Sequence, residues 1–251
     1  MCLVTLRIAV VGAGPSGLYA ADALANAGVH VDVLDRLPVP FGLVRYGVAP
    51  DHFSIRSVRD TLAHVLERPE VRLLAGVEVG DVDQGADVSV AELLAAYDGV
   101  VLTYGAARDR HLDVPGEDLP GSVAATDLVA WYCGHPDADR EAIEAALATA
   151  RSVVVVGVGN VAVDVTRVLT APWDRLAATD MPQHVLEALR DSSINDVHVL
   201  GRRGPAQATW TTKELKELGE LDGVDVVLDD LHDLDLEPIS ASLVESDRVV
   251  A

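Results

Sequence analysis

The feature that most constrains this chain is a strand, glycine turn and helix that occur in succession twice. Gly12-Ala-Gly14-Pro-Ser-Gly17 follows the apolar run Arg7 to Val11 and precedes an alanine-rich helical pattern, Ser16 to Ala27. Gly157-Val-Gly159-Asn-Val-Ala162 follows a second apolar run that starts at Ser152. In this context the motif predicts a dinucleotide whose pyrophosphate lies at the positive end of the helix dipole. The sequence therefore predicts two dinucleotide sites.

Short β-branched runs alternate with amphipathic stretches, which is typical of α/β folds with parallel sheets and crossover helices. We predict two Rossmann-like domains, residues 1–107 and residues 108–251, the second opening with a Gly-, Pro- and Asp-rich linker over 108–139. The further predicted elements, in chain order, are strand His30 to Leu34, a helix with the capping pair Ser89 and Glu92, strand Val100 to Tyr104, helix Glu141 to Ala150, strand Val197 to Leu200, helix Thr212 to Leu218 and strand Val224 to Leu228.

Each glycine of the first motif has its own predicted role. Gly12 allows the tight turn, Gly14 lets the backbone approach a pyrophosphate, and Gly17 lets the helix pack closely on the strand. Asp35 ends the second strand at about the ~20-residue offset where a carboxylate accepts the hydroxyls of an adenosine ribose. The alternative is a glycine-rich turn in an ordinary α/β protein, with Asp35 as a solvated strand end.

The second motif is followed by basic rather than acidic residues. Arg202 and Arg203 come directly after the strand Val197 to Leu200, and guanidinium groups form planar, bidentate hydrogen bonds with phosphate. They predict a 2′-phosphate and hence NADP. Arg202 lies about twice as far from its turn as the ~20-residue rule allows, so we expect residues 171–195 to be an insertion with its own helix. The alternative is a solvated basic turn.

Composition excludes several classes of partner and site. The chain has 40 acidic and 19 basic side chains and a formal net charge of −21, a field that repels nucleic acid and anionic lipid. Cys2 and Cys133 stand outside any CxxC motif, which predicts no disulfide framework. Cys133 and His135 have no further converging ligands, so we assign no metal. Without a secretory signal or an apolar run of about 20 residues, we expect a cytoplasmic protein.

One segment between the two glycine motifs has a more distinctive sequence than either motif. It reads Pro38-Val-Pro-Phe-Gly-Leu-Val-Arg-Tyr-Gly-Val-Ala-Pro-Asp-His52. It resembles a segment of the adrenodoxin-reductase-like ferredoxin-NADP reductases, and so do Tyr104-Gly-Ala, Leu112-Asp-Val-Pro-Gly-Glu-Asp-Leu-Pro-Gly121, Gly159-Asn-Val-Ala-Val-Asp164 and Gly201-Arg-Arg-Gly-Pro-Ala-Gln. The resemblance implies a flavoprotein with FAD in one domain and NADPH in the other, and a ferredoxin-type iron-sulfur protein as partner. NADPH releases hydride whereas such a partner accepts single electrons, so a flavin stands between them.

The resemblance also implies which residues form the sites. Around FAD it implies Ser16, Asp35, Leu43 and Val79, although the family more often has glutamate where this chain has Asp35. On the NADP side it implies the turn Gly159, Asn160, Val161 and Ala162, then Arg202 and Arg203, and Glu214 near the nicotinamide. His52 and Glu214 are the candidate catalytic residues. The alternatives are a turn histidine without a catalytic role and a glutamate that pairs with Lys213 or Lys216 on a solvated helix face.

The chain departs from this family in one respect. Family members return from the NADP domain to finish the FAD domain with a glycine-rich segment, and residues 229–251 contain no such segment. We therefore expect both domains to be incomplete at the carboxyl-terminal side, with exposed sheet edges, self-association and weak FAD binding. Two other functions stay open: the electron-input subunit of glutamate synthase, against which the Gly-Val-Ala-Pro-Asp-His segment argues, and a catalytically silent nucleotide-binding remnant.

Overall fold

The computed structural model describes residues 6–202, 204–227 and 238–239. These residues fold into two α/β units. The first unit holds residues 6–48 and 52–110, and the second holds the short segment 49–51 and the chain from His111 onward. Both units have parallel strands with intervening helices, so the predicted α/β class is confirmed. The assignment of residues 1–107 to FAD and 108–251 to NADP stays a prediction.

Four parallel strands form the sheet of the first unit, in the order β3-β2-β1-β4. The strands are β1 (Arg7–Val11), β2 (His30–Asp35), β3 (Val71–Ala75) and β4 (Gly99–Leu102). The helices are α1 (Pro15–Asn26), α2 (Gly42–Tyr46), α3 (Phe53–Arg56), α4 (Val58–Leu66) and α5 (Val90–Ala96). Since all four strands run the same way, their carboxyl ends meet at one edge, where the first glycine turn lies.

The two faces of this sheet are covered by different elements. Val31 and Val33 of β2 pack with the buried side chains of α1 and α4. Leu34 points the other way and packs with Leu93 of α5. Because side chains alternate along a strand, Asp32 lies on the same face as Leu34. A carboxylate with only 7% exposure is thus placed within the sheet.

Asp32 is bound by three side chains from neighbouring elements. Arg72 of β3 donates two hydrogen bonds to its carboxylate at 2.8 and 2.7 Å, Arg7 of β1 donates one at 3.0 Å, and the Tyr97 hydroxyl donates one at 2.7 Å. Burial alone would raise the pKa of Asp32, but these donors outweigh it and hold the pKa below its ordinary value of 3.8. The cluster links β1, β2 and β3 on the face covered by α5.

The second unit contains two described strands, β5 (Ser152–Val156) and β6 (Asp196–Leu200), which pair in parallel. Its helices are α6 (Ala125–Tyr132), α7 (Arg140–Thr149), α8 (Asn160–Thr170), α9 (Trp173–Ala177), α10 (Gln183–Arg190) and α11 (Thr212–Gly219). Across the described ranges of both units, every helix is too short or too polar to traverse a lipid bilayer.

The two faces of the β5-β6 sheet differ in exposure. Val155 is buried in a core that includes Trp131 of α6. The opposite face leaves Val154, Val156 and Leu200 more than half exposed. Parallel sheets are usually buried on both faces, so this one is apolar and yet in contact with water.

Most predicted elements are confirmed, but strand β3 and helices α2, α3 and α4 were not predicted. Helix α6 lies within residues 108–139, and its apolar side chains, Trp131 and Tyr132 among them, are buried in the core. Two helices, α9 and α10, occupy the insertion 171–195, where one was expected. The predicted strand Val224 to Leu228 is wrong over 224–227, where the Val224 amide donates to the Leu221 carbonyl in a turn instead of joining a ladder. Leu228 lies outside the described residues.

Replacing Asp32 by Asn is expected to destabilise the first unit. The neutral amide weakens the hydrogen bonds from Arg72 and Arg7, and we expect the free energy of unfolding to fall by about 1–2 kcal/mol at pH 7. Hydrogen exchange of the β2 amides should report the loss. Tryptophan fluorescence reports on the second unit, because Trp131, Trp173 and Trp210 all belong to it.

The same variant has an expected pH dependence. Because the folded pKa of Asp32 is lowered, its contribution is present above the unfolded pKa of about 3.9 and is lost as the pH falls through the folded pKa. The difference in β2 protection between wild type and variant should therefore shrink below about pH 4. Asp83→Asn removes an exposed carboxylate from the same unit and serves as the control. Equal effects of the two substitutions would contradict the role of the cluster.

Candidate functional site

The first glycine turn connects β1 to α1 through a backbone that leaves no room for side chains. Gly12 has a φ of 108°, and its amide donates to the Leu34 carbonyl at 2.7 Å. A Cβ on Gly12 would lie 2.6 Å from the Thr103 carbonyl oxygen, and a Cβ on Gly17 would lie 1.9 Å from the Gly12 carbonyl oxygen. The helix therefore approaches the strand at backbone distance, which only glycine permits at these two positions.

Asp35 lies at the end of β2 beside this turn. Its carboxylate accepts hydrogen bonds from the Ala13 amide at 2.7 Å and from the Leu37 amide at 2.9 Å. Asp35 is half-buried. It is therefore not a merely solvated strand end, because it joins the carboxyl end of β2 to the turn between the first two motif glycines.

Three neighbours of the turn were not singled out from the sequence. The Thr103 hydroxyl donates to the Val11 and Gly12 carbonyls at 2.8 and 3.1 Å. Phe41, with a φ of 88°, donates its amide to the Ala13 carbonyl at 2.8 Å. A Cβ on Gly42 would lie 2.9 Å from the Gly14 Cα. Thr103 could have been identified from its position in the sequence, because it directly follows β4 and precedes the stretch Tyr104-Gly-Ala.

The other residues predicted to lie around FAD occupy different parts of the same edge. Ser16 is exposed on the first turn of α1. Leu43 is 71% exposed on α2, the helix that begins at the turn. Val79 is half-buried and forms a parallel bridge with Val88. Two residues earlier in the chain, the Val77 amide donates to the Asp35 carbonyl. Side-chain exposure of Ser16 and Leu43 leaves both available to a ligand.

His52 directly precedes α3 in the first unit. It is 9% exposed, and its carbonyl accepts the amides of Ile55 and Arg56 at 3.1 and 3.0 Å. The structure therefore gives it a buried position directly before a helix, and its catalytic role stays a prediction.

The second glycine turn connects β5 to α8. Gly157 has a φ of 143°, and its amide donates to the Leu200 carbonyl at 2.9 Å. Gly159 precedes α8, Val161 is 52% exposed, and Ala162 is buried. A Cβ on Gly157 would lie 3.9 Å from the Ala162 Cβ, an ordinary contact. Alanine at the third motif position therefore fits this turn.

A short segment that was not predicted lies against the second turn. The Thr209 amide donates to the Val158 carbonyl at 2.8 Å, and the Thr211 amide donates to the Asn160 side-chain oxygen at 2.8 Å. The Thr211 hydroxyl in turn accepts the Glu214 amide at 3.3 Å and caps α11. Asn160 thus connects the first residue of α8 to the start of α11.

Arg202 is exposed two residues beyond Leu200, at the edge where the second turn lies. Arg203 lies outside the described residues. Glu214 is only 7% exposed, so it does not lie on a solvated face with the exposed Lys213 and Lys216. The structure thus brings Arg202 to the carboxyl edge of the second sheet and places Glu214 within the packing of α11.

Arg167 is a fully buried residue of α8 that contacts α11, the helix that carries Glu214. Arg167 contacts the carboxylates of Asp51, Asp164 at 2.8 Å and Glu217 at 3.6 Å. Burial lowers the pKa of Arg167 to about 10, opposed by the charges of Glu217 and Glu214, so the guanidinium is protonated at neutral pH. In the sequence, Arg167 could have been recognised as a charged residue on an otherwise apolar face of a helix.

Comparison with known proteins places this geometry in a family. The family described as "Pyridine nucleotide-disulphide oxidoreductase" matches residues 6–203. The NADPH-ferredoxin reductase FprA of Mycobacterium tuberculosis is 48% identical over 229 residues, which cover 88% of this chain and 48% of that protein. The mitochondrial NADPH:adrenodoxin oxidoreductase of Arabidopsis thaliana is 46% identical over 215 residues, 85% of this chain and 43% of that protein.

A solved structure agrees with these relatives. The structure of Mycobacterium tuberculosis FprA in complex with NADPH matches with a TM-score of 0.87 and 42% identity, covering 98% of this chain and 55% of that one. The resemblance to adrenodoxin-reductase-like enzymes inferred from the motifs is confirmed. The chain spans about half the length of the curated relatives it matches.

Replacing Gly17 by Ala is expected to separate α1 from β1. A methyl group 1.9 Å from the Gly12 carbonyl oxygen forces the backbone to move, and we expect a loss of about 3 kcal/mol or more in the first unit. Gly28→Ala, at the end of the same helix, meets nothing within 4 Å and introduces only the strain of a positive φ, about 1 kcal/mol. Hydrogen exchange of β1 measures both. A Gly17 variant no less protected than the Gly28 variant would contradict the close contact.

Proposed function

The chain belongs to the pyridine nucleotide-disulphide oxidoreductase family, and we propose that it acts as an FAD-containing oxidoreductase that takes hydride from NADPH and passes single electrons to a ferredoxin-type iron-sulfur protein. The names of its relatives, NADPH-ferredoxin reductase and NADPH:adrenodoxin oxidoreductase, support this reaction and this partner. The two cysteines outside any CxxC motif favour the cytoplasm as its location.

The observation that carries the proposal concerns how helices begin. Helices α5, α7 and α11 start under the side chains of Ser89, Asp139 and Thr211, which accept a first-turn amide. The two helices that follow the glycine turns, α1 and α8, start at Gly14 and Gly159 with no side-chain cap. Six other described helices also lack such a cap, and α1 and α8 differ from those six in following a strand and a turn that begins with a positive-φ glycine, Gly12 or Gly157. Their first-turn amides are therefore available to an anion, and a pyrophosphate is the anion that such turns bind.

The first turn fits FAD. The Cβ-free surface of Gly12 and Gly17 lets the backbone come close to a pyrophosphate. The Asp35 carboxylate is oriented by the Ala13 and Leu37 amides, and each of its oxygens keeps a second lone pair for a ribose hydroxyl. When bound, FAD supplies the step between two-electron and one-electron transfer.

The second turn fits NADPH. Gly157, Gly159 and Ala162 shape the pyrophosphate site, and Arg202 with Arg203 binds the 2′-phosphate. Glu214 orients the nicotinamide end. His52 orients the flavin ring or holds a proton by hydrogen bonding. These are the roles that the motif matches support for this chain.

The visible absorption spectrum of the purified protein, followed by NADPH-dependent reduction of ferricyanide and then of a ferredoxin, tests the proposal. A bound flavin band with turnover of both acceptors is expected. Turnover with ferricyanide alone would contradict the iron-sulfur partner. Absence of both a flavin band and turnover would favour the catalytically silent nucleotide-binding remnant.

Replacing both Arg202 and Arg203 by Ala is expected to weaken NADPH binding by roughly 10- to 1000-fold, because two charge-assisted phosphate contacts are lost. NADH lacks the 2′-phosphate, so its affinity should change by less than about threefold. The control is Arg151→Ala, which removes the same charge from an exposed position at the amino end of β5. Equal losses for the two coenzymes would remove the arginine pair from this site.

Replacing Asp35 by Ala is expected to lower the fraction of protein that retains FAD, since both the ribose acceptor and the contact with the Ala13 amide are lost. Absorbance of flavin relative to protein measures that fraction after gel filtration. Asp83→Ala should retain the wild-type ratio. Full flavin content in the Asp35 variant would contradict the ribose contact.

A further inference from the structure

Arg167 is the most deeply buried charged side chain among the described residues, with no exposed surface. It lies on α8 next to Val168 and one turn after Val163, both of which are also buried. An ionised group in such a place must be paired and hydrogen-bonded. The carboxylates around Arg167 therefore explain why a charge is tolerated at this buried position, but they do not explain its role.

The partners of Arg167 come from three parts of the second unit. Asp164 lies on α8 itself, Glu217 lies on α11, and Asp51 ends the short segment 49–51. The Asp51 side chain, 3% exposed, also lies 3.4 Å from Arg175. One planar guanidinium thus joins α8, α11 and the segment 49–51, a geometry that a lysine ammonium on a flexible stem does not reproduce.

Helix α11 is attached to α8 on both sides of Glu214. At its start, Thr211 is bound by the Asn160 side chain, and one turn beyond Glu214 the Glu217 carboxylate faces Arg167. Residues three apart lie on the same face of a helix. These two contacts fix the rotation of α11 and its position along α8, and with them the place of the Glu214 carboxylate.

Stability alone does not account for a charge at this position. Replacing a buried ion pair by well-packed apolar residues is often neutral or stabilising, and α11 already packs on α8 through Leu218 against Val163. Buried polar contacts in some proteins select one arrangement among several. Here the selected arrangement is the placement of α11.

We propose that Arg167 is a positioning residue for the nicotinamide end of the coenzyme: it holds α11 through Glu217 and thereby aims Glu214, without itself contacting NADPH. This inference rests on the proposed function, because it takes NADPH as the ligand of the second turn and Glu214 as a contact at its nicotinamide end. It predicts that replacing Arg167 weakens the binding of the nicotinamide half of the ligand and leaves the binding of the adenosine half unchanged.

Two ligands separate the halves of the site: NADPH, and 2′,5′-ADP, which has the adenosine and the 2′-phosphate but no nicotinamide. In Arg167→Lys, we expect the dissociation constant for NADPH to rise about tenfold and that for 2′,5′-ADP to change less than about twofold. Glu217→Gln should act in the same direction. Glu220→Gln makes the same change at an exposed position at the end of α11 and should leave both constants unchanged. Fluorescence titration and calorimetry measure them, with the oxidised coenzyme NADP⁺ in place of NADPH because NADPH would reduce the bound flavin.

A double-mutant cycle with Glu214→Gln distinguishes a positioning role of Arg167 from a merely structural one. If Arg167 acts through Glu214, Arg167→Lys should change NADPH affinity little once Glu214 is Gln. Equal losses for both ligands, an unchanged NADPH affinity or simple additivity with Glu214→Gln would overturn the inference. If Arg167→Lys does not fold, Glu217→Gln carries the test. A wild-type protein that binds neither ligand would instead refute the proposed function.

Discussion

The first unit depends on the contact between a strand and a helix that have no side chain between them. A Cβ on Gly17 would almost coincide with the Gly12 carbonyl, so α1 can start where it does only because both positions are glycine. That start sets the direction of the uncapped first-turn amides. The second turn is looser, since Ala162 is accommodated at an ordinary contact distance, and its geometry depends more on the residues packed around α8.

Each unit contains a buried charge that connects neighbouring elements. Asp32 joins three strands of the first unit through Arg7, Arg72 and Tyr97. Arg167 joins α8, α11 and the segment 49–51 in the second. In both cases one ion is held by partners of opposite charge from neighbouring elements. Such contacts add little stability compared with well-packed apolar residues at the same positions, but they restrict how the elements can be arranged.

Local patterns predicted the elements best, and contacts distant in sequence were the least accessible. The capping pair Ser89 and Glu92 is formed as expected, because it depends on four consecutive residues. The strand predicted at Val224 failed, since a β-branched run becomes a strand only beside a partner. Thr103 against Gly12, and Asp51 against Arg167, could not be predicted from spacing, because folding alone brings those residues together.

The exposed face of the β5-β6 sheet affects how the protein responds to temperature. Val154, Val156 and Leu200 are already more than half exposed in the folded chain, so unfolding exposes less additional apolar area there than it does at buried side chains. The heat-capacity increment of unfolding grows with the apolar area newly exposed. The second unit therefore unfolds with a smaller increment than a sheet covered on both faces would, and its stability curve is correspondingly flatter on warming and cooling.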